Sequence, residues 1–314
     1  MSHMRPIPET VLETAEEIFQ TLRMSNTALF GDRPIPDWVF RGHSDASWKL
    51  QPGVWRDDFL PRFGTSQPFL AICATEAARQ QIDHPGWQGL YAFDTAGRLE
   101  KALQRMGIAY ALLRNFVHTA RSLGLLQDGE QLERAENMLT RGGHIVEFFD
   151  PELESIAQHY GIPTRLLDWS YDPLSALYFA LEGSRSGVDA VVWGVDLLGH
   201  ATSSALNRRH PYSPSVEIFH GDRHANQRVR SQRGVFTFIW NAESHYANYG
   251  TYPTVENYLT DLHARKFIIR PSDREKTLAL VNLFRERKTR AHLMPDLESC
   301  ASVAKSAFSY NFNL

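Results

Sequence analysis

Residues 159–180 read HYGIPTRLLDWSYDPLSALYFA, and polar groups are crowded there into a segment that is otherwise apolar enough to be buried. The side chains with polar groups at the start of this stretch are His159, Tyr160, Thr164, Arg165, Asp168, Trp169 and Ser170. A protein core excludes arginine and aspartate unless they are paired or hydrogen-bonded, so such a cluster is more typical of a pocket lining than of an interior. The stretch therefore indicates a functional site that is built on buried elements.

Turn and cap signals divide this stretch into secondary structure. Asp150-Pro151 supplies an N-cap aspartate and a proline at the first helical position, and Gly161 ends the helix that follows. An extended segment begins at Leu166. Asp172-Pro173 then repeats the same start signal, which predicts a buried helix over residues 173–182.

Apolar runs elsewhere predict the rest of a sheet. The run Trp38-Val39-Phe40-Arg41-Gly42 is short, β-branched and aromatic and stops at a glycine, which predicts a strand that carries Arg41 at its end. Further strands are predicted at 190–195, 234–240 and 266–269, and residues 200–230, which lack periodicity, are predicted to form a loop. With the helices between them, these strands predict an α+β fold around a mixed or antiparallel sheet.

The remaining apolar periodicity is helical. Spacing over residues 11–22 predicts an N-terminal helix, a capping box of Ser272 and Glu275 starts a helix to about Lys288, and a last helix follows Pro295-Asp296. From about 68 to 147 the pattern is helical almost throughout, with helices near 68–82, 98–123 and 129–149. We therefore divide the chain into an N-terminal helix, 1–30, and a domain over 31–314 with a helical insertion at about 68–147, which would be a lid or an interaction module.

Composition narrows the class of protein without naming its chemistry. The 314 residues carry a net charge of −3, so any contact with nucleic acid would have to be local. Cys73 and Cys300 lie far apart and supply neither a disulfide framework nor a metal-ligand spacing, which fits a reducing compartment. No apolar run approaches the roughly 20 residues that a membrane span needs. We expect a soluble cytoplasmic protein without a membrane partner.

Each candidate residue has a structural interpretation beside its functional one. Arg41, next to Gly42, suits the binding of a phosphate or carboxylate through a bidentate fork, or else it pairs with a nearby aspartate at the end of a strand. His159 and Tyr160 lie at a helix end, where they would serve as a proton donor, a stacking platform for a ligand or a contact to ribose. The alternative is a histidine favoured by the helix dipole beside a tyrosine that is half packed in the core.

Two further sets of residues leave the same choice open. Arg165 and Asp168 either act on a ligand, shielded from water by Trp169, or form a structural ion pair. Gln232 precedes a glycine and a strand, where it is either a site residue or part of an ordinary turn. The sequence contains no GxxxxGK[ST] loop, no HExxH and no GxSxG, so the commonest NTPase, zinc-protease and hydrolase interpretations are removed.

Several motifs together resemble one family. They are Phe40-Arg41-Gly42 followed by Trp48, Leu50, Pro52 and Arg56, the block QHYGIPTRLLDWSYDPLSALYFA at 158–180, QRGVFTF at 232–238 and MPDLES at 294–299. This set is similar to the FRG domain family, which is named for its Phe-Arg-Gly motif and occurs in bacteria and phages. The resemblance spans about residues 38–300 and is interrupted by the helical insertion.

A more distant similarity is to ADP-ribosyltransferases, which present an Arg or His, a polar motif running into a helix, and a Glu on three successive strands. The order here resembles that pattern and implies an ADP-ribosyltransferase-like sheet that binds NAD as substrate. The resemblance implies catalytic roles for Arg41, His159, Asp168 and Gln232. It implies NAD-binding roles for Arg41, Gly42, Tyr160, Thr164, Arg165, Trp169 and Ser170, with Tyr160 or Trp169 stacking on nicotinamide.

The third position of that pattern is Gln232 in this chain, where the transferases usually have Glu. Either Asp168 or Glu217 supplies the charge, or the chain binds a nucleotide without cleaving it. The leading hypothesis is an NAD-dependent ADP-ribosyltransferase or NAD glycohydrolase that acts on a macromolecular acceptor, in a toxin or phage-defence setting. The alternatives are an enzyme that cleaves or modifies nucleic acid and a non-catalytic sensor that binds a nucleotide or a partner. The site hypothesis requires Arg41, His159, Arg165, Asp168 and Gln232 to converge on one cleft.

Overall fold

The computed structural model of the chain describes residues 6–31, 37–64, 72, 97–125, 151–197, 215–220 and 234–313, with side chains as far as residue 306. The strands in these ranges are β1 (Glu9–Leu12), β2 (Trp38–His43), β3 (Leu167–Ser170), β4 (Ala190–Asp196), β5 (Ser215–Phe219), β6 (Gly234–Trp240) and β7 (Ala264–Ile269). They form one sheet in the order β1-β7-β4-β2-β3-β6-β5. The pair β1–β7 is parallel and the other neighbours are antiparallel, so the expected α+β fold with a mixed sheet is confirmed.

Helices cover both faces of this sheet. The α-helices of the described residues are α1 (Ala15–Leu22), α2 (Thr27–Phe30), α3 (Phe59–Phe63), α4 (Arg98–Ser122), α5 (Pro151–His159), α6 (Pro173–Glu182), α7 (Ala242–Tyr249), α8 (Asp273–Arg285), α9 (Arg290–Leu293) and α10 (Leu297–Asn313). Two short 3-10 helices occupy Gly53–Trp55 and Val255–Tyr258. Among the residues that the structure describes, no helix combines the length and the apolar composition that crossing a membrane requires.

The alternation of side chains along β2 divides the core into two layers. Phe40 points into the layer that α1, α6 and α8 form with the sheet, where it packs with residues such as Leu177 and Leu283. Val39 points into the opposite layer, where the 3-10 helix at Gly53–Trp55, α4 and α7 cover the sheet. Arg41 follows Val39 on this second face, which places its charged side chain at the rim of a hydrophobic layer.

Gly42 is the point at which α6 lies closest to the sheet. A Cβ atom built on Gly42 would be 1.8 Å from the carbonyl oxygen of Ala176 and 2.8 Å from the amide nitrogen of Ala180. The absence of a side chain therefore admits the backbone of α6. This close approach by the protein's own helix replaces the approach of a ligand that the sequence suggested for this glycine.

Several predicted elements are confirmed, and three are corrected. The helix predicted over residues 11–22 is wrong at its start, because Val11 and Leu12 belong to β1, which pairs with β7. The helix begins only at Ala15, after a capping box formed by Thr14 and Glu17. A parallel partner 250 or more residues away leaves no local signal, so helical spacing alone was misleading here.

The second correction concerns the loop predicted over 200–230, of which residues 215–219 form the edge strand β5. The strand is held by antiparallel pairing with β6, and its weak local pattern hides that pairing.

The third correction concerns Glu275, which does not complete a capping box with Ser272. Ser272 Oγ accepts a hydrogen bond from the backbone N–H of Glu275, but Glu275 Oε2 accepts from the N–H of Ala15 at 2.8 Å. That hydrogen bond joins α8 to α1.

The predicted helical insertion is only partly within the described residues. The helix predicted at 98–123 is confirmed as α4. The helices predicted near 68–82 and 129–149 lie outside the described residues, apart from residue 72. The division into an N-terminal helix and a domain over 31–314 stays a prediction.

Candidate functional site

Arg41 and Asp168 meet where β2 and β3 separate. The two strands are joined in register at Phe40 and Ser170. Beyond that pair, Arg41 Nη1 donates to the backbone carbonyl oxygen of Asp168 at 2.7 Å and to its carboxylate Oδ1 at 2.6 Å. The guanidinium group thus bridges the two strands and holds both the backbone and the side chain of Asp168.

A second chain of hydrogen bonds reaches the same carboxylate from α5 and the loop after it. Gln158 Nε2 donates to Asp168 Oδ1 at 2.8 Å, and Thr164 Oγ1 donates to Gln158 Oε1 at 2.6 Å. The Asp168 side chain is fixed by Arg41 and Gln158 yet keeps 41% of its surface exposed. It is therefore positioned and still accessible to a ligand.

The Asp168 carboxylate is ionised at neutral pH. Burial acts to raise its pKa, but the charge of Arg41 and the hydrogen bonds from Arg41 and from the backbone outweigh burial, so the pKa lies below its usual value. The charge of nearby His159 acts in the same direction. This places His159 near the carboxylate, but His159 is not among the residues that line the cleft to which Asp168 belongs.

Arg41 and Asp168 line a cleft with a cavity volume of about 220 Å³. Its charged lining residues are Arg41, Arg56, Asp58, Arg62 and Asp168. Burial, and then the charge of Arg41, lower the pKa of Arg56, so Arg41 and Arg56 are close enough for their positive charges to interact. A cleft lined by more arginines than carboxylates attracts anionic ligands, and arginine is suited to phosphate. Thr164, Gly161 and Gln158 also line the cleft.

His43 is a further hydrogen-bond partner of Arg41. Arg41 Nε donates to His43 Nε2 at 2.8 Å, so the neutral ring carries its proton on Nδ1. Burial, and then the charges of Arg41 and Arg56, lower the pKa of His43 to about 3. His43 is therefore a neutral acceptor that orients Arg41 throughout the physiological range of pH.

Substitution of His43 by glutamine should remove part of the acid sensitivity of the fold. Below about pH 6.5 His43 is protonated in the unfolded chain but stays neutral in the folded chain. The free energy of unfolding therefore falls as the pH falls towards 3. Because each pH unit in this window costs up to about 1.4 kcal/mol, the loss between pH 7.5 and 5 from His43 is about 2 kcal/mol. Urea unfolding at both pH values measures it.

In His43→Gln the free energy of unfolding should differ between pH 7.5 and pH 5 by about 2 kcal/mol less than in the unaltered chain. His118→Gln, which changes an exposed histidine on α4, is the control and should retain the difference. An unchanged pH dependence in His43→Gln would contradict the assignment of a buried neutral imidazole.

Arg165 lies beside the cleft and does not line it. Its Nε donates to Glu154 Oε1 at 3.0 Å and its backbone N–H donates to Glu154 Oε2 at 2.9 Å, while the guanidinium lies 5.4 Å from the centre of the Phe238 ring. Arg165 and Glu154 line a neighbouring cavity of about 30 Å³ together with Glu243. That volume suits about one water molecule. Burial raises the pKa of Glu243.

The remaining predicted site residues are divided between core, surface and the undescribed part of the chain. Trp169 is 3% exposed in the hydrophobic core, with its Nε1 donating to Thr237 Oγ1 at 3.0 Å, so it does not line the cleft. Ser170 Oγ accepts from the N–H of Asp172 at 3.0 Å and caps the turn before α6. Tyr160 is 67% exposed just after α5, with its ring 5.9 Å from that of Phe116.

The transferase pattern has a glutamate at its third position. The sequence offered Gln232 for this position and Glu217 as another source of the negative charge. Gln232 lies outside the described residues. Glu217 is exposed on the edge strand β5, where it accepts a hydrogen bond from Trp240 Nε1. Of the carboxylates that the sequence hypothesis named as sources of the charge, Asp168 is therefore the one that lines the cleft. Among the described residues, no three His, Cys, Asp or Glu side chains are grouped as they would be around a metal ion.

Sequence reasoning missed four residues that shape this region: Gln158, Arg56, Arg62 and Glu154. Arg56 was part of the family resemblance, but nothing in its spacing connected it with Asp168. Gln158 lies at the beginning of the central block, and its hydrogen bond to Asp168 spans the turn around Gly161. That contact depends on the angle between α5 and β3, which the sequence pattern does not report.

Comparison with known proteins adds one finding. Residues 94–188 match the family model of the FRG domain. No curated protein and no solved structure gives a significant match. The matched segment contains α4, α5, β3 and α6, and so it contains Gln158, Thr164 and Asp168 of the cleft. Over residues 94–188 the match therefore supports the resemblance to the FRG domain family that the motifs of the chain indicate.

Proposed function

We propose that the cleft binds NAD and that the chain cleaves the bond between nicotinamide and ribose. ADP-ribose is then transferred to a macromolecular acceptor or to water. The observation that carries the proposal is the ionised, half-exposed Asp168 in a cleft that it shares with Arg56 and Arg62. The arginines favour a ligand that carries negative charge, and the carboxylate favours a ligand that develops positive charge during its reaction.

The proposed chemistry assigns a separate part to each charge. The glycosidic C–N bond breaks with its electron pair leaving on nicotinamide, and the sugar becomes positively charged. The Asp168 carboxylate stabilises that charge by the electrostatics that glycosidases use. An acceptor O–H or water forms the new C–O bond and releases its proton to solvent. Arg56 and Arg62 offset the negative charge of the two phosphates.

Arg41 has a different part from the one that the resemblance implied. Its Nε is used by His43 and its Nη1 by Asp168, and its side chain is only 13% exposed. We therefore assign to Arg41 the positioning of Asp168, and to the two more exposed arginines the binding of phosphate. Consumption of NAD fits an effector that damages a cell, so the toxin or phage-defence setting is part of the proposal.

Incubation of the purified chain with NAD labelled in its adenosine part, with and without a bacterial lysate, tests the proposed reaction. We expect release of nicotinamide, and transfer of label to macromolecules when the lysate is present. Cleavage of nucleic acid in the absence of NAD would favour the nuclease alternative. Saturable binding of NAD without release of nicotinamide would favour a sensor and would contradict the proposed cleavage.

A further inference from the structure

Residues 53–63 carry Arg56 and Arg62 and form what we call the anion-binding wall of the cleft. Arg105 of α4 is buried beneath this wall. The residue is 6% exposed, and its Nη1 donates to the backbone carbonyl oxygens of Val54 at 2.5 Å and of Arg56 at 2.9 Å. The guanidinium also lies 5.5 Å from the centre of the Phe59 ring and 4.9 Å from that of Tyr252. One side chain of the helical insertion thus holds the backbone of the segment that carries the cleft arginines.

That segment is fixed from two sides. On the side of the cleft, the backbone N–H of Val54 donates to the carbonyl oxygen of Thr164 at 3.2 Å. On the side of α4, Arg105 holds the carbonyl groups of Val54 and Arg56. The chain then continues into α3, which carries Arg62. The positions of Arg56 and Arg62 relative to Asp168 therefore depend on a contact with α4.

Arginine is the side chain suited to this contact. A buried cation is costly unless its donors are satisfied, and Arg105 satisfies Nη1 with two carbonyl groups while it lies against two aromatic rings. Lysine keeps the charge but lacks the planar fork and the delocalised face. Substitution of Arg105 by lysine therefore alters the position of the segment with little change in charge.

We propose that Arg105 is a positioning residue that sets the geometry of the anion-binding wall of the cleft, and that this is a function of helix α4 within the insertion. The inference rests on the cleft's being an anion site, which is one part of the proposed function, and it does not require cleavage of NAD. Arg105 itself does not line the cleft and touches no ligand there.

The test compares Arg105→Lys with a matched control on the same helix. Arg98 also donates to a backbone carbonyl oxygen, that of Asn248 at 3.1 Å, but it ties α4 to α7 and not to the cleft. Isothermal titration with inorganic pyrophosphate measures anion binding whatever the nucleotide is. Hydrogen exchange over residues 53–63 measures the order of the wall, and thermal unfolding measures the stability of the whole fold.

We expect Arg105→Lys to weaken pyrophosphate binding by about tenfold and to speed exchange over 53–63, since small displacements of positioned groups have effects of this order or larger. Arg98→Lys should change neither. Wild-type affinity in Arg105→Lys, or an equal loss in both variants, would overturn the inference. Binding of pyrophosphate without any reaction of NAD would overturn the proposed cleavage and leave the inference standing, whereas no binding of pyrophosphate by the unaltered chain would overturn both.

Discussion

Under the proposed function, replacement of Asp168 by asparagine should lower the rate of nicotinamide release by about 10²–10³-fold, the usual effect of removing one electrostatic stabiliser of a transition state. Asparagine has nearly the same shape, and its Oδ1 can accept the hydrogen bonds from Arg41 and Gln158. The substitution therefore removes the negative charge and keeps the geometry. Since the charge acts mainly on the developing cation, kcat should fall much more than KM changes.

Asp189→Asn is the matched control for this measurement. Asp189 also pairs with an arginine, Arg270, at 2.6 Å, but it is not among the residues that line the cleft. The control should release nicotinamide at the wild-type rate. A similar rate in Asp168→Asn and the unaltered chain would show that another carboxylate supplies the charge, such as Asp58 in the cleft or Glu217 on β5.

Replacement of Gly42 by alanine should destabilise the fold by about 3 kcal/mol or more, at the upper end of the range for overpacked sites. The new Cβ would lie 1.8 Å from the carbonyl oxygen of Ala176, and the obstructing atoms belong to the backbone of α6. A backbone cannot rotate away as a flexible side chain can, so α6 has to shift from β2. The midpoint of urea unfolding, at unchanged m value, measures the loss.

The control for Gly42→Ala separates steric obstruction from backbone strain. Gly187 has φ of +76°, and no atom lies within 4 Å of the position that a Cβ would take there, so alanine at this site meets strain alone. Gly187→Ala should cost only about 1 kcal/mol, as expected for a left-handed residue with a side chain. Equal losses in the two variants would contradict the close approach of α6 to Gly42.

The elements that were predicted well are those whose signals are local. Asp172-Pro173 and the apolar run after it predicted α6, and the runs at 190–195 and 234–240 predicted β4 and β6. The elements that were missed, β1 and β5, are edge strands whose existence depends on pairing with distant segments. Residues 11–22 could be assigned to a helix because the pairing of β1 with β7 leaves no trace in local spacing.

The candidate site was predicted to a similar extent. The proximity of Arg41 to Asp168 followed from the resemblance, and the contact is present at 2.6 Å. The sequence could not show that Arg165 pairs with Glu154, because both choices of partner satisfy a half-buried arginine equally well. It also could not show that Gly42 accommodates a helix, since a glycine beside a ligand and a glycine beside a helix have the same one-letter pattern.

We propose that the anion-binding wall, with Arg56 and Arg62, and Asp168 form one site for an anionic nucleotide. Isothermal titration with ADP-ribose tests it most directly, using the unaltered chain, Arg56→Gln and, as a control outside the cleft, Arg270→Gln. We predict that the unaltered chain and Arg270→Gln bind ADP-ribose alike, and that Arg56→Gln binds it about tenfold or more weakly, the usual effect of losing a charge-assisted hydrogen bond. Equal affinity in all three proteins, or no binding by the unaltered chain, would contradict the claim.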